Sequence, residues 1–164
     1  MKTQRLANFK IRMTFQGLDN QTVEIRISNY QFPNSMEDDW DDNWLNIYLN
    51  VKSKAGNWQV IDPSLTTAEF KELIDWFRNL SQNKKPEYAR LTFIEPNLSF
   101  ELLNSFDNIS KEFKIKFNLE SRPQSATNDK DYFVDCLADN NMLLKIADEL
   151  KQELDNYPER KPAQ

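Results

Sequence analysis

The chain is predicted to be α+β, mainly antiparallel strands with two amphipathic helices. Two observations predict this: apolar residues alternate with period two in several short runs, and they recur at helical spacing in two others. Phe9, Ile11, Met13 and Phe15 share one face, with Lys10, Arg12 and Thr14 between them. After a turn at Gly17-Leu18-Asp19-Asn20, Val23, Ile25 and Ile27 repeat the pattern. Leu45, Ile47, Leu49 and Val51 form a third strand, and Trp58 and Val60 a fourth beyond the turn Lys54-Ala55-Gly56-Asn57. One apolar and one polar face per strand is what a sheet with one wet side requires.

Thr66 and Glu69 have capping-box spacing and open a helix. Phe70, Leu73, Ile74 and Phe77 form its apolar stripe, and Asn83-Lys84-Lys85-Pro86 ends it. The second half has the same order. Strands are expected at Tyr88–Phe93, Leu98–Leu102, Phe113–Leu119 and Tyr132–Leu137, then a helix carrying Leu143, Ile146, Ala147, Leu150 and Leu154. Leu45 aligns with Phe113, 68 residues on, and Phe70 with Leu143, 73 residues on. The polar stretch Ser121–Asp131 accounts for the difference. The halves read as two copies of a ββββα unit, against the alternative of two amphipathic runs that match by chance. The expected organisation is one domain over 1–158, with repeats at 8–82 and 86–157 and a flexible tail at 159–164.

With 164 residues, 39% of them hydrophobic and 12% aromatic, the chain can bury a full core. Its one cysteine, Cys136, excludes an intrachain disulfide and fits a reducing compartment. Met1–Phe9 has no signal-like apolar stretch, and no run reaches the roughly 18 apolar residues of a membrane span. A cytoplasmic protein is expected, as a monomer or a dimer. The net charge of −5 repels phosphate backbones, which disfavours nucleic acid and favours a basic protein partner.

Catalytic chemistry is poorly supplied. There is no histidine, hence no Ser-His or Cys-His arrangement and no imidazole metal ligand. A single cysteine cannot build a structural zinc site. Gly17 and Gly56, the only glycines, sit at turns and form no phosphate-binding loop. A carboxylate-dependent enzyme needs only two acids in a cleft, but with 26 acids such pairs are inevitable. Asp39-x-Asp41-x-Asn43 copies the start of a calcium loop, yet Trp44 and Asn50 occupy the positions that need glycine and glutamate. No catalysis, cofactor or metal is expected.

One segment stands out for recognition. Glu37, Asp38, Asp39, Asp41 and Asp42 surround Trp40, and Trp44 follows. One reading is a solvated turn, with Trp44 packed under the third strand. The other is a patch whose carboxylates steer a basic partner and whose tryptophan supplies apolar contact area.

Several motifs carry a family resemblance. Asp41-Asp42-Asn43-Trp44-Leu45 resembles the D-x-N-W-L signature of WapI-like immunity proteins. The capped helix ending in Trp76-Phe77, with Leu80, fits next. Phe93-Ile94-Glu95-Pro96 followed by Leu98-Ser99-Phe100 is similar to the family's F-x-E-P-x-L-x-F segment, and a last helix closes on Tyr157-Pro158-Glu159-Arg160. The resemblance spans about residues 25–160. Asp42 stands where relatives often have glycine. The resemblance implies a bacterial immunity or immunity-like protein that binds and neutralises a toxin, a nuclease in the family's named example. It assigns no contact residue. Its rivals are a generic interaction domain and, further off, a carboxylate-dependent enzyme.

Overall fold

A computed structural model of the protein describes residues 13–34 and 40–161. The expected strand residues Phe9 and Ile11 lie outside them. The first half forms β1 (Thr14–Gln16), β2 (Thr22–Tyr30), β3 (Trp44–Ser53), β4 (Gly56–Thr66) and helix α1 (Thr67–Ser81). The second forms β5 (Arg90–Leu91), β6 (Leu98–Leu102), β7 (Ser110–Phe117), β8 (Tyr132–Asp139) and helix α2 (Asn140–Asp155). Each set of strands makes a four-stranded antiparallel sheet in sequence order, so the ββββα order occurs twice.

Local chemistry explains most boundaries. The Thr66 hydroxyl accepts from the Glu69 amide while the Glu69 carboxylate accepts from the Thr66 amide, the reciprocal capping predicted from spacing. Asp139 caps α2 by accepting from the Met142 amide at 2.9 Å. Asn83, with φ of +55°, ends α1 in the left-handed region, and Lys84 donates back to the Asn79 carbonyl.

The strand expected at Tyr88–Phe93 is cut down to Arg90–Leu91. Side chains of α1 take the backbone groups that a longer ladder would use. Trp76 Nε1 donates to the Tyr88 carbonyl at 3.0 Å, and the Ile94 amide donates to Glu69 Oε2 at 2.8 Å.

The alignment of the halves also needs correction. Trp44 pairs with Thr66 and Ser110 with Asp139, and Thr66 and Asp139 are the two helix caps. Leu45 therefore corresponds to Lys111, not to Phe113. Alternation has period two, so a slip of two residues leaves the apolar pattern unchanged.

A continuous core draws on both halves. Phe15 of β1 lies 5.5 Å from Phe77 of α1, and Phe77 lies 5.8 and 5.3 Å from Phe100 and Phe113 of the second sheet. Trp76 joins the cluster edge-on to Phe77. The helices pack on each other, and Glu153 of α2 accepts the Ile27 amide of β2 at 2.8 Å, beside the irregularity in β2.

The sheets meet at their margins. Gly17, just after β1, bridges Cys136 of β8. A Cβ on Gly17 would stand 2.4 Å from Val134 Cγ1, so close approach demands this glycine, whose φ of −85° any residue could adopt. Turn geometry alone, expected to account for both glycines, accounts only for Gly56, at φ +126°.

Candidate functional site

The acidic, tryptophan-bearing segment follows β2. Its base closes where the Gln31 amide donates to the Trp44 carbonyl at 2.8 Å. Residues Trp40–Asn43 form a 3-10 turn leading into β3. Glu37, Asp38 and Asp39 lie outside the described residues. Trp40 is 61% exposed and Asp41 is exposed beside it, whereas Asp42 is only 4% exposed. Trp44 is half-buried at the start of β3. Of the predicted patch, Trp40 and Asp41 thus face outward and Asp42 inward, with its neighbour Asn43, which was not part of the patch, buried beside it.

The inward pair is held by the end of the chain. Asn43 Nδ2 donates to the Arg160 carbonyl at 2.6 Å, and the Arg160 amide donates to Asn43 Oδ1 at 2.7 Å. Thr67 Oγ1 donates to the same oxygen at 3.3 Å. The Arg160 guanidinium donates to the Asp42 carbonyl through Nε, at 3.0 Å, and through Nη2. It also reaches the carbonyls of Phe32, at 3.1 Å, and Pro33, at 3.5 Å. Its carbon lies 3.8 Å from the centre of the Tyr30 ring.

Two tyrosines complete the strap. Tyr30 donates to the Pro158 carbonyl at 2.6 Å and Tyr157 to the Ser28 carbonyl at 3.2 Å, with the rings edge to face at 5.4 Å. Burial pushes the Tyr30 phenol up, and the guanidinium opposes that. Arg160 falls within the stretch expected as a loose tail, yet it carries this network.

Phe32 is 45% exposed on the same loop stem. Composition and periodicity singled out neither Phe32 nor Tyr30. The one available signal was the Tyr-Pro-Glu-Arg ending, whose tyrosine and arginine both bond to this loop and its strand.

Other chemistry is sparse. Among the described residues, no group of three or more Asp, Glu, Cys or His could hold a metal ion. Asn43 Oδ1, which a calcium loop would need, already accepts from Arg160 and Thr67. Burial pushes the Cys136 thiol up to about 12, so it stays neutral and unreactive. A groove of about 350 Å3 runs between α1 and residues 86–92, with Glu72, Asp75 and Glu87 on its rim and Trp76 and Tyr88 on its walls. Burial, then the neighbouring carboxylates of Glu69, Glu87 and Asp75, raise Glu72. Glu72, Asp75 and Glu87 are all exposed, so water screens them and the rim offers negative potential without a dry acid–base pair.

Lys111 is an unexpected buried cation. It exposes no surface and donates to the side-chain oxygens of Asn83 and Asn140, linking the end of α1 to the start of α2. Burial lowers its pKa. No described helix is long and apolar enough to cross a membrane.

The family model of the Immunity protein WapI-like family matches residues 14–158. No curated protein and no solved structure matches the chain. The chain belongs to the WapI-like immunity protein family, and the match takes in the paired sheets, both helices and the loop base at Asn43.

Proposed function

We propose that this member of the WapI-like immunity family neutralises a bacterial toxin by binding it, without catalysing any reaction. The observation that carries this reading is the family match over residues 14–158. Immunity proteins act on a protein partner, so the reading needs a docking surface and no reactive centre. The lack of histidine, the single buried neutral thiol and the screened carboxylates all fit that role.

The contact surface is proposed at the loop between β2 and β3, with Trp40 and Asp41 as exposed members and Glu37, Asp38 and Asp39 beside them in sequence. Asp42 and Trp44, named with them from sequence, are buried and half-buried on the returning stem. A basic toxin domain, of which a nuclease is one class, fits the net charge of −5. The complex would form in the cytoplasm, without cofactor or metal. Carboxylates at the rim would speed association, and the Trp40 ring would supply apolar anchoring area.

The test is protection. The gene is co-expressed with a candidate toxin domain encoded near it, and growth and complex formation are followed. Protection by the natural chain is expected. Trp40→Ala should weaken the complex by about 2 kcal/mol, roughly thirtyfold, as a central anchor does. Replacing Asp38, Asp39 and Asp41 with lysine should slow association and flatten its salt dependence. Undiminished affinity in both variants would move the interface elsewhere. No complex and no protection by the natural chain would remove the toxin reading and leave a generic interaction domain.

A further inference from the structure

We propose that the C-terminal strap presets the two stems of the recognition loop before any partner arrives, with Arg160 as the positioning residue. The loop leaves the sheet at Tyr30 and returns at Trp44. Ordering the two stems, residues 31–34 and 40–43, only on binding would subtract directly from affinity. The structure shows what limits that freedom. One guanidinium holds both stems: the outgoing stem through the Phe32 and Pro33 carbonyls, the returning stem through the Asp42 carbonyl. Asn43 locks the arginine in turn, by a reciprocal pair of hydrogen bonds to its backbone amide and carbonyl.

The chemistry is particular to arginine. Only a planar fork can reach carbonyls on two stems at once while stacking on the Tyr30 ring. A lysine ammonium at this site is a single point donor and would satisfy one stem at a time. Because Phe32 and Asp42 share the same Nη2 donor, exposed Phe32 is brought beside the turn that carries Trp40 and Asp41. The preset surface therefore carries Phe32 on the outgoing stem and Trp40 with the Asp41 carboxylate on the returning one, a combination suited to a cationic protein surface with apolar area. Its effect on binding rests on the docking site proposed above. The ordering of the loop does not.

The experiment uses the full chain carrying Arg160→Lys or Arg160→Ala, with 5-fluorotryptophan in place of tryptophan; Trp40→Phe assigns the Trp40 fluorine signal. Amide exchange at residues 31, 32, 34 and 40–44 should rise about tenfold or more in both variants, and the Trp40 signal should move toward its solvent-averaged position. Amides in β7 and α2 should keep their protection. Affinity for the candidate toxin domain encoded near the gene should fall about tenfold. Unchanged exchange in the loop would overturn the proposal, and so would an equal rise across β7 and α2. A loosened loop with full toxin affinity would uphold the strap and overturn the docking site.

Discussion

Asn43 joins two stretches of chain 117 residues apart. Its amide nitrogen donates to the Arg160 carbonyl, and its oxygen accepts from the Arg160 amide and the Thr67 hydroxyl. No hydrophobic side chain can replace that reciprocity, and a buried amide left unpaired is costly. Asn43→Ala should destabilise the fold by about 2–3 kcal/mol, read as a lower denaturant midpoint at unchanged slope. Asn43→Asp keeps both acceptor bonds but sets a carboxylate against the Arg160 carbonyl, so it too should lower the midpoint. A midpoint equal to that of the natural chain in both variants would show that water replaces the lock. The sequence marked Asn43 only as part of a short motif. Its partner is legible nowhere near it.

Between elements, Lys111 shows where a repeat departs from itself. Leu45 fills the corresponding place in the first sheet, and both residues expose no surface. In the second sheet the space beside α2 opens onto Asn83 and Asn140, whose oxygens receive the ammonium. Lys111→Met keeps the apolar stem and removes a charge that burial disfavours. Asn140 can still donate to Asn83, at 3.1 Å. That variant should remain within about 1 kcal/mol of the natural chain or exceed it, whereas Lys111→Ala should cost about 2–4 kcal/mol through the cavity it leaves. Equal losses in thermal or denaturant unfolding would assign the stability to the ammonium bonds instead. The caps of both helices were within reach of sequence, because capping is a contact over three residues. The shortening of β5 was not, since it depends on Trp76 and Glu69 reaching across from α1.

Across the whole molecule, the sheets are joined at margins that contain polar groups. Trp58 of β4 donates to the Ser121 carbonyl at 2.9 Å, and Asn97 donates to Asp62 at 2.7 Å. Burial, then the charge of Glu120, raises Asp62, while the Asn97 bond opposes them and Glu95 adds a smaller raising effect. A raised carboxyl favours the fold when protonated. Its contribution is fully present below the unfolded value, near 3.9, and is lost as pH rises through the folded value. Asp62→Asn keeps an acceptor for Asn97 and removes the charge. It should therefore be at least as stable as the natural chain at pH 7, with its advantage shrinking as pH falls toward 4. Urea midpoints across that range check this, and an advantage that grows toward low pH would reverse the sign.

The sequence by itself determined the α+β class, the two helical stripes, the capping box and the absence of histidine. Each is a matter of composition or of contacts within a few residues, where period and spacing report which face is buried. It also carried the family's motifs in order. Only the tertiary structure decided the register between the halves, the close approach that requires Gly17, the burial of Lys111 and the strap from Arg160 to Asn43. The physical reason is common to all four. Alternation tells a residue which way to face, but period two cannot tell it from a neighbour two places on, and nothing local says what the distant chain will bring opposite. The acidic segment shows the division within a single turn: Trp40 and Asp41 face out, while Asp42 and Asn43 face a partner that the chain supplies 117 to 118 residues later.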